Sequence, residues 1–203
     1  MLKNQPKEPF LKRPFDITLS LIGIIISFPV WILIGLLIFL EDKEPIFYSQ
    51  SRVGKKGKKF KVRKFRSMIN EAEKHTGAVW ALENDKRVTK IGKVLRATAM
   101  DELPQLLSIL KGDMSFVGPR PERPELVTMF NGGIPNYDLR HQVRPGLTGM
   151  AQIFGKYDTL PKHKLKYDLL YIKKQSFWLD LKLIFLSFWI TFRAKWESRH
   201  KKI

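Results

Sequence analysis

The sequence predicts an α+β fold: a re-entrant N-terminal membrane helix-break-helix hairpin, a small cytoplasmic, mostly helical domain with short strands, and interfacial amphipathic helices. Three observations predict it. Residues 17–40 carry no charge and are interrupted by Pro29. Short alternating stretches and helically spaced leucines share the middle of the chain. An aromatic, apolar stretch from Phe177 to Phe192 runs into a basic tail. The chain divides accordingly into a hairpin (1–42), a cytoplasmic domain (43–176) and an interfacial aromatic and basic C-terminal helix (177–203).

As a straight helix, residues 17–40 reach about 36 Å, enough for the ~30 Å hydrocarbon core of a bilayer. One transmembrane span is therefore the default. A secretory signal peptide fits poorly, because the run is too long and no small-residue cleavage site follows. Two features favour the hairpin instead. Pro29 removes a backbone hydrogen bond at the midpoint, and Ser27 offers a hydroxyl to the carbonyl groups so freed. Both flanks are basic: Lys3, Lys7, Lys12 and Arg13 before, Lys43, Arg52, Lys55, Lys56, Lys58 and Lys59 after. Positive flanks stay in the cytoplasm, so a helix broken at Pro29 that enters and leaves by one face satisfies both.

Residues 45–49 and 60–68 read as strands, the second alternating apolar Phe60 and Val62 with Lys61 and Arg63. Gly54-Lys55-Lys56-Gly57-Lys58-Lys59 between them is a tight basic turn suited to lipid head groups or a phosphate. A helix near 68–74, a polar loop at 76–87 and a short helix at 90–96 follow. Leu103, Leu106, Leu107 and Leu110 have helical spacing. Pro104 is tolerable only in a first turn, which puts Asp101 and Glu102 at a helix start. Gly112 ends that helix. Residues 114–117 read as a strand, 124–130 as a helix, 150–153 as a strand and Pro161–Lys174 as an amphipathic helix. Phe177–Phe192 suits a helix in the membrane interface, with packing on the soluble core as the alternative. Asp180 and Lys182 shorten its uncharged stretch below spanning length.

The formal net charge is +18, from 37 Lys+Arg against 19 Asp+Glu, which implies anionic partners. The chain has no cysteine, so disulfides and thiolate metal sites are excluded. His75, His141, His163 and His200 have no metal-ligand spacing. The most informative chemistry lies at Asp101-Glu102. Arg96 stands upstream, and Arg120 sits in the Pro-stiffened turn Gly118-Pro119-Arg120-Pro121. Carboxylate oxygens hold Mg²⁺ and guanidinium forks pair phosphate oxygens, so this group suits a divalent cation with a phosphorylated substrate. An acid pair that merely favours a helix dipole is the plain alternative.

Taken in order, the motifs resemble the bacterial sugar transferases, the monotopic phosphoglycosyl transferases that prime glycan assembly on a polyprenyl phosphate. The likeness runs through Lys12-Arg13-x-x-Asp16, Arg52-Val53-Gly54, Lys64-Phe65-Arg66-Ser67-Met68 and residues 96–105. It continues through residues 111–121, Arg144-Pro145-Gly146-Leu147-Thr148-Gly149 and Lys166-Tyr167-Asp168. The resemblance implies that Asp101 attacks the β-phosphorus of a UDP-sugar and releases UMP. Polyprenyl (undecaprenyl) phosphate then takes the phosphosugar from the aspartyl intermediate. It also implies Mg²⁺ held by Asp101 and Glu102, and phosphate clamping by Arg96 and Arg120, with Lys64 and Arg66 as further candidates. Arg144 is a candidate for the nucleotide or the turn, and Asp168 for support. It implies a minimal catalytic form on the cytoplasmic face of the bacterial inner membrane, in contact with anionic lipid, with no nucleic acid partner. Assembly into a homo-oligomer, the sugar and the glycan pathway are left open. Ala99-Met100 stands for the family's Ser-Leu, and Met150 and Phe154 stand where the family often has Trp and Asn; the latter two mean that sugar specificity does not transfer. The rival readings are a membrane-anchored basic binding protein and a magnesium-dependent phosphatase of isoprenoid diphosphates.

Overall fold

The computed structural model describes residues 6–74, 77, 85–156, 158–193 and 196. Helix α1 runs from Lys12 to Asp42. Pro14 sits in its first turn, where a missing N–H is harmless. Lys43 ends it in the left-handed region (φ 59°), and its N–H returns to the Phe39 carbonyl at 2.8 Å. Lys12, Asp16, Ser20, Ile34 and Ile38 are buried, with Ile24, Ser27 and Trp31 partly so. Steps of three and four put all of these on one helix face. The opposite face, with Leu21, Ile25, Ile26, Phe28, Leu33 and Leu40, is exposed.

The break expected at Ser27 and Pro29 does not interrupt this helix. The Ser27 hydroxyl donates to the Gly23 carbonyl at 2.6 Å. It does not reach Ile25, whose carbonyl loses its normal donor to proline. Such a hydroxyl bond and a proline within one turn bend a helix rather than end it. Packing of the inward stripe on either side of Pro29 carries the helix through. Among the described residues α1 is the one helix long and apolar enough to cross a membrane.

Strands β1 (Phe47–Val53) and β2 (Lys59–Phe65) form an antiparallel hairpin with Phe47 opposite Phe65 and Val53 opposite Lys59. Its tip turns through Lys56 and Gly57, both at positive φ. Residues 68–74, expected to be helical, are not. Met68 forms an antiparallel bridge with Val88, and a turn with Glu71 at φ 53° follows. Pairing with Val88 holds Met68 extended where a helix would need it curled. The loop expected at 76–87 lies mostly outside the described residues.

Helix α2 (Lys90–Ala97) is capped by the Thr89 hydroxyl, which accepts from Gly92 N–H at 2.9 Å. A 3-10 turn, Met100–Gln105, leads into α3 (Leu106–Lys111), which Gly112 ends at φ 98°. Strand β3 (Ser115–Val117) pairs in parallel with β4 (Gly146–Thr148). A Cβ on Gly146 would stand 2.0 Å from the Gly118 nitrogen, so only glycine lets these chains approach so closely. Between them lie α4 (Pro124–Gly133) and a 3-10 turn, Tyr137–Gln142. The strand expected at 150–153 is instead α5 (Met150–Phe154): the parallel pairing is already taken by Gly146–Thr148, and the helix begins directly after the extended Gly149. Helices α6 (Pro161–Lys174) and α7 (Phe177–Phe192) complete the fold.

The main core joins Val62, Leu106, Ile109, Phe116, Tyr171 and α7 residues Leu183 and Ile190. A second cluster gathers Ile34 and Ile38 of α1 with Phe65 and Leu95. In α7, Leu183 and Ile190 pack inward, while Trp178, Phe185, Phe188 and Phe192 are exposed. Both apolar helices therefore share the core of the central domain.

Candidate active site

Ala99 adopts φ 55° and starts the 3-10 turn that carries the acids. A 3-10 turn rotates successive residues by about 120°, so two neighbours point apart. Asp101 and Glu102 are both buried, yet only Asp101 lines the large cavity of the molecule. That cavity measures about 650 Å³, within the usual range for a small-molecule site.

Glu102 turns away to two cations. Lys64 Nζ meets its Oε1 at 2.5 Å, Arg120 Nη1 meets Oε2 at 3.3 Å, and Arg120 Nη2 pairs with Oε1. Burial opposes the Glu102 charge, but the Arg120 and Lys64 cations outweigh it and hold the carboxyl well below its ordinary range. Lys64 also stands 3.5 Å from Asp101 Oδ2, so one ammonium bridges both acids. Strand β2 delivers Lys64 to this position, and the Pro-stiffened turn after β3 delivers Arg120.

Arg96, at the end of α2, lines the same cavity. Arg66 lines it too, but its guanidinium is committed elsewhere. Nε donates to the Pro45 carbonyl at 2.6 Å, Nη1 to Asp42 Oδ2 at 2.6 Å, and Nη2 to Asp42 Oδ1. Arg144 and Asp168 are not among the lining residues. Arg144 holds Glu8 in the segment before α1, and Lys55 of the basic turn meets the same carboxylate at 3.0 Å. Burial works against the Glu8 charge, and these two cations bring its pKa down to about 2.

Asp168 lies behind the cavity. Burial pushes its carboxyl up to about 6, with Arg140 pulling in the opposite direction. Arg140 Nε and Nη2 meet Asp168 Oδ2 at 2.9 and 2.8 Å, and Nη2 also donates to the Arg120 main-chain carbonyl at 2.8 Å. The result is a continuous chain from Asp168 through Arg140 to the Arg120 turn and on to Glu102.

Sequence reasoning missed Arg140, and it assigned no site role to Arg52, Glu122, Arg123 or Lys164, all of which line the cavity. Arg123 carried a usable signal, since Pro124 follows it directly and Pro121 lies two residues before it. Lys164 lies one helical turn before Asp168, a spacing that was also legible. Glu122 is an acid among these cations, its carboxylate 4.0 Å from Arg52 Nη1. Burial lowers the pKa of Lys164, with Glu122 resisting. A partly enclosed space rich in guanidinium and ammonium groups, with the Asp101 carboxylate on its wall, can bind a diphosphate and present a nucleophile to it.

The donor set allows Mg²⁺ only in a limited way. Among the described residues no group of three or more His, Asp or Glu side chains could cage a metal. Asp101 together with substrate phosphates fits the way Mg²⁺ is commonly held. Glu102 would reach such an ion only by releasing one of its cations.

A family model described as bacterial sugar transferase matches residues 7–194. The chain is 44% identical over 189 residues to a UDP-N-acetylgalactosamine-undecaprenyl-phosphate N-acetylgalactosaminephosphotransferase of Aeromonas hydrophila, covering 91% of this chain and 44% of that protein. It is 45% identical over 181 residues to a UDP-glucose:undecaprenyl-phosphate glucose-1-phosphate transferase of Klebsiella pneumoniae, covering 87% and 39%. It is 39% identical over 186 residues to an exopolysaccharide production protein of Rhizobium leguminosarum bv. phaseoli, covering 86% and 92%. The chain thus spans less than half the length of the first two relatives and nearly all of the third.

Proposed function

The chain belongs to the bacterial sugar transferase family, and we propose that it moves a sugar 1-phosphate from a UDP-sugar to undecaprenyl phosphate, releasing UMP, through a covalent intermediate on Asp101. The observation that carries this reading is the division between the two acids. Asp101 faces the cavity, while Glu102 is locked between Lys64 and Arg120.

In the first step an Asp101 oxygen forms a bond to the β-phosphorus. The bond from that phosphorus to the bridging oxygen breaks, and UMP leaves with the electron pair. In the second step an oxygen of undecaprenyl phosphate attacks the same phosphorus and returns the Asp101 carboxylate. Two displacements at one phosphorus replace a direct transfer between two anions. Lys64, Arg96 and Arg120 stand where they can neutralise the phosphoryl oxygens as charge spreads over them. Glu102 keeps Lys64 and Arg120 aimed at that place. Mg²⁺ bound through Asp101 and the donor's own oxygens would neutralise the diphosphate further.

We also place the protein at the cytoplasmic face of the bacterial inner membrane, with α1 re-entrant. The domain touches α1 at both ends and along one face, whereas a spanning helix would carry one end to the other side. The exposed faces of α1 and α7 give the apolar surface such an arrangement needs, and the lysines near them suit anionic lipid. With a cysteine at residue 2 in intact cells, a membrane-impermeant maleimide should not label it. Labelling from outside would refute the re-entrant path.

Transfer is tested with detergent- or nanodisc-held protein, Mg²⁺, undecaprenyl phosphate and a panel of UDP-sugars. UMP should appear with at least one donor. Absence of UMP with every donor would refute the reading, and hydrolysis of an isoprenoid diphosphate without any nucleotide would replace it with the phosphatase.

A further inference from the structure

The charged residues at the two ends of α1 have no part in the proposed chemistry, yet nearly all of them hold a segment that carries it. At the start of the helix, Lys12 Nζ donates to the Val117 carbonyl at 2.9 Å, to the Tyr171 hydroxyl at 3.1 Å and to Asp180 at 2.6 Å. Asp16 Oδ1 accepts from the Phe116 N–H at 3.0 Å and the Ser115 hydroxyl at 3.1 Å. These bonds fix β3, three residues before Arg120. Arg13 donates to the Ile109 and Leu110 carbonyls at 2.6 and 2.8 Å, closing the C-terminal end of α3, the helix that follows the acids.

At the far end of α1, Asp42 takes the Arg66 guanidinium in a two-pronged pair, and Pro45 accepts a third bond. Glu41 accepts from the Lys90 N–H at 2.8 Å, at the start of the helix that bears Arg96. Arg66 stands two residues after Lys64 on one extended stretch, with Phe65 between them packed on Trp31, Ile34 and Ile38 of α1. The position of Lys64 against Asp101 and Glu102 is therefore set by how residues 64–66 seat on α1. The guanidinium holds the Asp42 carboxyl below its ordinary range, as expected for an ionised pair.

We propose that Arg66 is a positioning residue rather than a phosphate ligand: clamped to Asp42, it makes the apolar helix part of the scaffold that aims Lys64 at the two acids. This rests on the transfer reading above. Three of the five guanidinium N–H groups are spent on α1 and the residues just after it. A phosphate in the cavity would have to break the two-pronged pair to be gripped in the same way.

The test uses the full chain in nanodiscs and measures kcat and the donor KM for Asp42→Asn, Arg66→Ala, their double variant and the exchange Asp42→Arg/Arg66→Asp. Asp42→Asn should lower kcat by about 10–100-fold, the range that a misplacement of about 1 Å can cause. The donor KM should stay within about twofold of wild type, as expected when only transition-state interactions are lost. Arg66→Ala should match it, the double variant should add nothing, and the exchange should recover part of kcat. An Asp42→Asn enzyme with normal turnover beside an Arg66→Ala enzyme with a raised donor KM would overturn the proposal and return Arg66 to the phosphates. If Asp42→Asn does not fold, Arg66→Lys decides the matter. It keeps the charge and loses the fork, so a kcat loss at unchanged KM supports positioning and a raised KM refutes it. Wild-type UMP release in the same experiment tests the transfer reading separately.

Discussion

Asp101→Asn should reduce UMP release by at least about 10⁴-fold, the scale seen when a nucleophile is removed from an otherwise intact site. Asparagine matches aspartate in shape but offers no anionic oxygen to phosphorus. The fold should survive, because Asp101 makes a looser contact with Lys64 (3.5 Å) than Glu102 does (2.5 Å), and Lys64 keeps its stronger partner. A melting temperature near that of wild type, with turnover gone, is the expected pair of results. Glu102→Gln should behave differently. It strips Arg120 of its paired carboxylate and leaves Lys64 the longer contact to Asp101, so stability and activity should fall together. Turnover that persists in Asp101→Asn and vanishes in Glu102→Gln would exchange the roles of the two acids.

Arg120→Ala should lower kcat by about 10²–10³-fold, the scale of losing one preorganised donor to a transition-state oxygen. Arg120 has two duties. It pairs with Glu102 inside the protein, and its side chain, 39% exposed, also opens onto the cavity. Removing it leaves Glu102 buried with Lys64 alone, so a loss of stability of about 1–3 kcal/mol should accompany the kinetic defect. Arg120→Lys separates the two duties. A lysine can neutralise Glu102 but cannot fork to a carboxylate and a phosphate together, so stability should recover more than turnover. Steady-state kinetics and thermal melts on the same preparations check both. Full activity in Arg120→Lys would reduce Arg120 to a charge partner of Glu102.

What was legible in the sequence was chemistry carried by local pattern. The acid pair ahead of helically spaced leucines, the Pro-flanked arginine, the uncharged run with its proline and the aromatic terminal helix all depend on near neighbours along the chain. The structure brings Lys64, Arg96, Asp101 and Arg120 to one cavity. What was not legible depended on distant partners. Nothing at Arg66 reveals that Asp42 lies opposite it, and nothing at Glu8 reveals Arg144. Arg140 sits in a polar 3-10 turn with no periodic signal, yet it links Asp168 to the Arg120 backbone. The errors of element type have the same origin. Residues 68–74 have helix-compatible composition, but Met68 pairs with Val88 across the loop. Residues 150–153 look strand-like, but the extended pairing falls to Gly146–Thr148, where glycine permits close approach to Gly118. Pro29 signals a disruption in any isolated helix, and only the packed stripe on both sides of it keeps α1 continuous.

Whether Asp101 carries the phosphosugar can be read by intact-protein mass spectrometry. The purified chain is mixed with Mg²⁺ and its UDP-sugar donor in the absence of undecaprenyl phosphate, quenched and weighed. A mass increase equal to one sugar phosphate is expected, mapped by peptide analysis to Asp101, absent from Asp101→Asn, and discharged when undecaprenyl phosphate is added. UMP that forms only when both substrates are present, with no mass increase at any time, would contradict a phosphosugar carried on Asp101.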